Sequence, residues 1–387
     1  MSGFNPEVFK WARESAGLTL GEAAKALHIK QDSLEAVESG GEPSRPLLLR
    51  MTQVYRRSLL TFYLPTPPRK GNRGHDFRTV VPGEYVEAEV EIDVLIRDLL
   101  SRQSMVRAVL EADEEVKPVP FVGSASMDQG VDAVALAIQR ALGFERAQFR
   151  GHATTEQAFS FLRALAERVG VFVLLIGNLG SHHTAIPVGA FRGFAIADPL
   201  APFVVINDQD AKTAWSFTLL HELAHLWLGE TGVSGGFPEH RVEQFCNSVA
   251  AEILVPASEL AALKVSGLSF DQQLELVSRQ ADQWNVSRLM VAYGLLRAGM
   301  IDHGNWQALD GKFREIWQAE RAREKELARR KKTTGPTYYT LRRHRLGRAM
   351  LSFAAQALNT GTLTPSKAAQ VLGVAPRSVF PLLGNAP

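Results

Sequence analysis

The chain has 387 residues, a formal net charge of +2 and one cysteine, Cys246. This length is enough for about two to four domains with a sizeable hydrophobic core. The small net charge does not indicate whether the protein binds nucleic acid. A single cysteine excludes an intramolecular disulfide. The longest apolar run, residues 169–176, is too short to cross a bilayer, and no signal-peptide pattern opens the chain. These features predict a soluble cytoplasmic protein.

Residues 1–66 predict a bundle of short helices. Asn5-Pro6 is a good cap and first-turn pair for a first helix, and Thr19 with Glu22 forms a capping box that opens a second. A third helix begins at Gln31 after a tight turn. Short helix, tight turn and short helix together are typical of a helix-turn-helix unit.

The stretch 18–27, with Glu38-Ser39-Gly40 and Pro43-Ser44 after it, resembles the Cro/CI-type (XRE) DNA-binding domains. The resemblance implies that the third helix enters the major groove of double-stranded DNA. It assigns the contacts with bases or phosphates to Lys30, Gln31 and Ser33. Because helix-turn-helix proteins commonly bind palindromes as pairs, we also expect a homodimer.

Two departures from the pattern leave a second interpretation open. Lys30 stands where a capping Ser or Thr is usual, and the third helix carries three carboxylates that oppose phosphate binding. These are Asp32, Glu35 and Glu38. The alternative is a helical bundle that no longer binds DNA and serves for dimerisation or partner docking.

A region rich in Pro, Gly and Arg, residues 65–74, predicts a linker. Helices are predicted after it over 86–110, 128–142 and 155–169. Strands are predicted over 171–176, 185–188, 193–196 and 203–206. The strand that ends at Asn207 is a candidate sheet edge, on which a peptide could add as a further strand. Together these elements predict an α+β architecture with a small sheet.

The sequence His221-Glu222-Leu223-Ala224-His225 carries the strongest chemical signal of the chain. Two histidines four residues apart project from one face of a helix and can bind one metal ion. Glu222 is adjacent to that pair and is placed to accept a proton from a water held by the metal. The alternative, two satisfied histidines in a buried helix, is disfavoured because polar groups are costly to bury without partners.

A catalytic zinc site usually needs a third protein ligand, which the helix over residues 242–255 can supply. Its apolar residues recur every four positions, at Phe245, Val249 and Ile253. Glu252 lies at the edge of this stripe and is our first candidate. Glu243 is about half a helical turn away in phase and is the second candidate, either as a ligand or as a partner that orients a histidine.

Weaker candidates lie in loops. Glu239 and His240 precede the second helix and are further candidate ligands. A donor for the oxyanion of the reaction is also expected, and three histidines are candidates for it, namely His182, His183 and His240.

Residues 217–225, followed by 243–247 and 250–256, resemble the ImmA/IrrE family of metallo-endopeptidases. The resemblance implies a zincin-like (gluzincin-like) peptidase domain. It assigns the zinc ligands to His221, His225 and Glu252, and the general base to Glu222. It also implies a protein substrate that is a transcriptional repressor or an antitoxin-like protein, in stress response or mobile-element control.

The C-terminal third predicts further helices and two strongly basic stretches, residues 329–332 and 342–345. Residues 363–374 repeat features of residues 18–29, which suggests a second helix-turn-helix-like unit. The predicted organisation is a helix-turn-helix domain over 1–66, a linker and helical segment over 67–149, a zinc peptidase domain over 150–265 and a C-terminal helical region over 266–387.

Two classes of function compete at this point. The first is a zinc endopeptidase with a DNA-binding regulatory domain. The alternative is a helix-turn-helix transcriptional regulator whose peptidase-like core senses a metal or a ligand without proteolysis. The presence of Glu222 favours the enzyme, because a pure sensor has no need of a general base.

Overall fold

The structure is a computed structural model of the chain. It describes residues 4–55, 57–68, 86–180, 184–234, 241–331 and 337–384. Most of the predicted linker, from residue 69 onward, lies outside the described residues, as do Glu239 and the histidines at 182, 183 and 240.

The N-terminal unit consists of short helices around a core of its own. They are α1 (Pro6–Glu14), α2 (Leu20–Ala26), α3 (Gln31–Glu38), α4 (Arg45–Val54) and a 3-10 helix (Leu59–Tyr63). Its buried cluster includes Phe9, Leu34 and Met51, and among the described residues it contains none after Phe62. An apolar core closed within one stretch of chain is what defines a domain, so this unit has the means to fold alone.

The local signals read from the sequence form as predicted in this unit. The Asn5 side chain caps α1 by accepting from the Glu7 amide, and Thr19 and Glu22 form the reciprocal capping box at α2. His28 takes a left-handed conformation, with φ of 55°, in the turn between α2 and α3. The helix-turn-helix geometry is therefore present.

The rest of the described chain is a helical body around one sheet. Its helices up to the sheet are α5 (Val86–Glu111), α6 (Val131–Leu142), α7 (Arg146–Arg150) and α8 (Thr155–Arg168). The later helices are α9 (Lys212–Leu228), α10 (Arg241–Leu254), α11 (Ala257–Ala261), α12 (Phe270–Trp284), α13 (Arg288–Arg297), α14 (His303–Lys331), α15 (Tyr338–Asn359), α16 (Pro365–Leu372) and α17 (Val379–Leu383). Two further 3-10 turns are Met127–Gln129 and Pro376–Ser378.

The sheet has four short strands in the order β1-β3-β2-β4. They are β1 (Phe172–Leu175), β2 (Gly193–Ile196), β3 (Phe203–Ile206) and β4 (Gly232–Ser234). β1 runs parallel to β3, whereas β2 is antiparallel to both β3 and β4. β3 is therefore inside the sheet, and the edge expected at the strand ending at Asn207 is wrong. β4 pairs with β2 alone among the described strands.

Side chains alternate across the sheet and divide the body into two cores. Val173 and Val204 belong to the cluster that includes residues of α6, α8, α9 and α10. Phe172 and Phe203, one position earlier, belong to the cluster that includes residues of α5, α15, α16 and α17. Because successive strand residues point to opposite faces, helices cover the sheet on both sides. The α+β class is confirmed, and helices from both flanking regions complete the core around the central sheet.

A buried ion pair holds the C-terminal helices to the sheet. Arg163 of α8 donates to the carbonyl oxygens of Val173 and of His344, the latter at 2.6 Å, and pairs with Glu167 at 3.2 Å. α15 is kinked at Gly347, where φ is 78°, and a Cβ there would collide with the Glu167 carboxylate. The kink therefore lets the backbone of α15 approach the pair closely.

Three features differ from the sequence-based prediction or extend it. Residues 185–188 form no strand, only an isolated bridge between Asn178 and Ala185, and β4 was not predicted. The suggested second helix-turn-helix-like unit consists of α16, a turn and the short helix α17, and the apolar residues of both helices belong to the second core.

Two of the C-terminal arginines stabilise this packing, since Arg342 and Arg343 donate to the carbonyl oxygens of Gly373 and Leu382. No helix among the described residues is both long and apolar enough to cross a membrane.

Candidate metal centre and DNA-facing helix

The helix that carries the two histidines, α9, is buried along most of its length. Its residues from Trp215 to Trp227 are buried, apart from Phe217. It ends at Gly229, whose φ of 74° is the left-handed conformation typical of a helix C-cap. A Cβ at Gly229 would lie 3.0 Å from the Cα of Gly123, so a glycine is needed there for a second reason. The backbone amide of Gly123 donates to the carbonyl oxygen of Leu226 and fixes this end of α9.

The histidine side chains of α9 converge on one point. The Nε2 atoms of His221 and His225 lie 3.1 Å apart, and both residues are almost fully buried. The four-residue spacing predicts that both side chains lie on one face of a helix, and the structure places them there.

A carboxylate from α10 completes the group, and it belongs to Glu243. Its Oε2 lies 3.3 Å from Nε2 of His221 and its Oε1 lies 3.1 Å from Nε2 of His225. Tetrahedral zinc with bonds of about 2.0–2.1 Å spaces its ligand atoms about 3.3 Å apart. His221, His225 and Glu243 thus have the donor types and the spacing that fit a catalytic zinc ion.

The structure does not bring Glu252, the first candidate, to the histidines. Its carboxylate accepts from the backbone amide of Ala257 at 3.2 Å, where the chain leaves α10. Glu243 and Glu252 are nine positions apart, which at about 100° per residue leaves them on opposite sides of the helix. The apolar stripe favoured Glu252. The fully buried Cys246 and Ala250, however, lie on the same face of α10 as Glu243, and this is the face towards α9.

Burial and mutual hydrogen bonding shift the pKa values of His221, His225 and Glu243. Burial acts to raise the pKa of Glu243, but hydrogen bonds with both histidines and their charges lower it to about 2. Burial lowers the pKa of His221 despite Glu243. Although burial opposes it, hydrogen bonding with Cys246 and Glu243 raises the pKa of His225. Glu243 is therefore ionised, as a metal ligand must be.

Glu222 lies beside the group with no exposed surface. Its carboxylate and Thr218 are so close to β2 that a Cβ on Gly193 would lie 2.7 Å from Glu222 Oε1 and 2.7 Å from Thr218 Cγ2. The close approach of β2 was not predicted from the sequence, although a glycine that opens a strand is a signal for it. A buried carboxylate next to His225 has the position that a general base needs.

The three residues proposed to contact DNA are exposed on α3 and immediately before it. Lys30, Gln31 and Ser33 all face solvent, and Lys30 is the N-cap residue but makes no side-chain capping bond. Glu38, one of the three carboxylates that oppose phosphate binding, is paired with Arg13 through two bonds of 2.7 and 2.9 Å. Its charge is thereby compensated inside the domain, whereas Asp32 and Glu35 remain exposed.

Comparison with known protein families identifies two segments of the chain. Residues 179–296 match the family model of the IrrE N-terminal-like domain, a peptidase family, and residues 7–60 match a helix-turn-helix domain model. The comparisons with curated proteins and with solved structures found no match. The two resemblances read from the sequence are confirmed by the family matches. The chain carries a peptidase domain of this type together with a domain of a DNA-binding class.

Proposed function

We propose that the protein is a zinc-dependent endopeptidase in which His221, His225 and Glu243 hold the metal and Glu222 is the general base. The observation that carries this proposal is the buried convergence of the two histidines with Glu243 at distances of 3.1–3.3 Å. Burying three such polar groups together is costly unless a ligand compensates them. The proposal replaces Glu252 by Glu243 and keeps the other assignments made from the sequence.

The bound metal supplies Lewis-acid polarisation and lowers the pKa of a water molecule towards neutrality. His221, His225 and Glu243 would hold the metal through two imidazoles and one carboxylate, a donor set found in catalytic zinc sites. Zinc is the metal we propose, while manganese and iron accept the same donor set.

Glu222 takes the proton from the attacking water and later returns it to the leaving amine. Its burial removes competing solvent, and the contact with Gly193 of β2 limits where the carboxylate can move. The outer edge of β4, which pairs with β2 alone among the described strands, offers backbone groups to an extended peptide substrate. The peptide would then run alongside β4, one strand away from β2, which borders Glu222.

The substrate we propose is a transcriptional repressor or an antitoxin-like protein, in stress response or mobile-element control. This proposal rests on the presence of a helix-turn-helix domain on the same chain as the peptidase domain. The helix-turn-helix domain would bring the enzyme to double-stranded DNA, as a homodimer, where such proteins act.

The alternative is a transcriptional regulator whose peptidase-like core only senses a metal or a ligand. A buried carboxylate at position 222 carries a desolvation cost that a sensor gains nothing from. For this reason we favour the enzyme.

The test compares cells that produce the parent with cells that produce Glu222→Gln, which keeps the size of the side chain but removes the base. New protein N-termini are mapped by mass spectrometry in both. We expect the parent to generate new N-termini in a repressor or antitoxin-like protein, and the variant to reduce that cleavage by about 100-fold or more.

The same comparison with purified proteins shows whether the enzyme itself cleaves the partner. The parent and Glu222→Gln are each incubated with the cleaved partner, and zinc content is measured in both. Cleavage at the same rate by both proteins, with zinc retained, would show that Glu222 is not the general base. If no new N-terminus depends on Glu222, the endopeptidase proposal is wrong.

A further inference from the structure

A cavity of about 800 Å³ lies between the helix-turn-helix domain and the sheet-bearing body. Its lining comes from residues 57–61 of the first domain, from α5, from the turn after β1, and from α15 and Gly373. It is lined by none of the residues of the candidate metal centre. This volume is that of a site for a small molecule of nucleotide size.

The lining of this cavity is strongly positive. Among the residues that the structure describes, its lining contains Arg57, Arg97, Arg102 and Arg342 and one aspartate, Asp98, which gives a formal charge of +3. Asp98 is itself in an ion pair with Arg102 and is partly exposed. Asp93, which precedes Arg97 on α5, also acts on Arg57, but the excess of arginines in this recess still favours the binding of an anion.

Two of the guanidinium groups converge on one glycine, the C-cap of α16. Arg342 donates to the carbonyl oxygen of Gly373, and the Arg102 guanidinium lies where a Cβ on Gly373 would be. Like charges at such close range repel, and Arg102, after burial, is one of the groups that lower the pKa of Arg342. The fold therefore holds two positive groups close together.

Arg57 presents the same situation from the helix-turn-helix side. Its guanidinium lies 4.2 Å above the Trp11 ring and donates to Ser15 Oγ at 2.8 Å, which fixes its position. Burial and then the neighbouring charge of Arg97 lower the pKa of Arg57 to about 10. An anion between these groups would offset the repulsion from Arg97, which is the smaller of the two causes that lower this pKa.

Hydrogen-bond donors also remain to be satisfied here. The buried Nε atoms of Arg57, Arg102 and Arg342 have no hydrogen-bond partner among the described residues. Buried donors are almost always paired in folded proteins, with protein, with water or with a ligand. One wall of the cavity is apolar, through Val94, Ile176 and Leu179.

From this arrangement we propose that the cavity binds a small phosphate-bearing molecule of nucleotide size. The arginines bind the phosphate oxygens, because a guanidinium donates two parallel hydrogen bonds to such a group. The apolar wall packs against the ring of a nucleoside. A bound nucleoside phosphate would contact Arg57 of the first domain and both Arg102 and Arg342 of the body. It would therefore connect the helix-turn-helix domain to the body.

The experiment measures binding of ATP and of inorganic tripolyphosphate to the full chain by isothermal titration calorimetry. The variants are Arg102→Gln and Arg97→Gln, and the matched control is Arg314→Gln, which removes the same charge from an exposed arginine paired with Asp310. Thermal melting without ligand establishes that each variant is folded.

We expect ATP to bind the parent and the control equally, and each cavity variant about tenfold or more weakly, as the loss of a charged hydrogen bond to phosphate predicts. Tripolyphosphate should bind more weakly than ATP, because it lacks the ring. Binding to Glu222→Gln should equal that of the parent, so this test does not depend on the peptidase assignment.

The proposal is overturned if neither compound binds the parent, or if folded Arg102→Gln and Arg97→Gln bind ATP as the control does. It is also overturned if these variants lose affinity for duplex DNA while the parent binds neither compound, because the arginines would then contact a DNA backbone.

Discussion

Gly193 is the residue whose absence of a side chain matters most to the candidate site. β2 passes so close to α9 that a Cβ at this position would lie 2.7 Å from Glu222 Oε1 and 3.0 Å from the carbonyl oxygen of Val205. Real Cβ atoms do not approach other atoms so closely, and the backbone oxygen of β3 cannot yield. The Glu222 carboxylate and the Thr218 methyl group, which is also 2.7 Å from such a Cβ, are the groups that must move.

We therefore expect Gly193→Ala to slow cleavage by about 10- to 100-fold, because a small displacement of a catalytic group is costly, while zinc content stays unchanged. The measurement is kcat with the cleaved partner as substrate. The matched control is Gly311→Ala in α14, where a Cβ would meet nothing within 4 Å. Equal rates for both variants would show that β2 does not fix the position of Glu222.

The choice between Glu243 and Glu252 shows where residue-level inference from sequence ends. The H-E-x-x-H spacing fixes both histidines because they share one helix. The proposed third ligand lies on another helix, whose rotation depends on what it packs against. The small residues Cys246 and Ala250, three and seven positions after Glu243, are the signal that marks the face closest to α9. Weight given to large apolar residues favoured Glu252, which lies on the opposite side of the helix from Glu243.

At the scale of elements, α3 presents exposed donors and exposed carboxylates together. Lys30 and Gln31 lie at its N-terminal end, where a recognition helix contacts bases, while Asp32 and Glu35 are exposed beside them. The pairing of Glu38 with Arg13 removes one negative charge from this face. The element is consistent in shape with DNA binding, and its charge determines how tight that binding can be.

For a duplex selected from random sequence with the parent protein, we expect Lys30→Ala with Gln31→Ala to weaken binding at least tenfold, since each base contact contributes about 1–3 kcal/mol. Asp32→Asn should strengthen binding, because it removes a charge that repels phosphate. The control is Lys10→Ala, an exposed lysine of α1. Affinities are compared at one salt concentration, and an unchanged affinity for the first variant would place the DNA contact elsewhere.

Element boundaries followed the sequence closely where local chemistry sets them. The capping box at Thr19 and Glu22 and the strands at 193–196 and 203–206 form where they were expected. The prediction lacks β4, and the strand predicted over residues 185–188 is wrong. Both segments flank loops, and short pairings there depend on neighbouring strands rather than on their own residues.

At the scale of the whole molecule, the sheet has helices on both faces. The helices on one of these faces, α5 and α15–α17, come from the start and from the end of the body. Phe172, Leu174, Phe203 and Val205 all belong to the core that includes α5 and α15–α17. The sequence predicted an α+β class and the helices themselves, but an amphipathic helix shows only that one face is buried. Which surface it covers is decided by contacts far apart in the chain.

This arrangement predicts what happens when the chain is shortened. A protein ending at residue 331 loses α15–α17 and exposes those four side chains, each contributing about 1.5–3 kcal/mol when buried. The total is comparable to the whole stability of a typical domain, about 5–15 kcal/mol, so we expect the sheet-bearing body to lose its cooperative unfolding transition, while the helix-turn-helix domain keeps its own.

The control is a chain of residues 86–387, which lacks the helix-turn-helix domain. Because that domain has a separate core, the remaining body should still melt cooperatively. Circular dichroism measured during heating distinguishes the two proteins. A cooperative transition in the 1–331 protein at the temperature of the full chain would contradict the described packing of the second core.

The central claim is that His221, His225 and Glu243 form the metal site, and metal content tests it most directly. Elemental analysis is made on the parent, on Glu243→Ala and on the matched control Glu252→Ala, all purified without chelators. The account predicts near-stoichiometric zinc in the parent and in Glu252→Ala, and its loss in Glu243→Ala, since removing one of three ligands removes most of the affinity. Zinc lost with Glu252→Ala and retained with Glu243→Ala would contradict the assignment of the third ligand. A parent that neither contains nor takes up any metal would contradict the metal site itself.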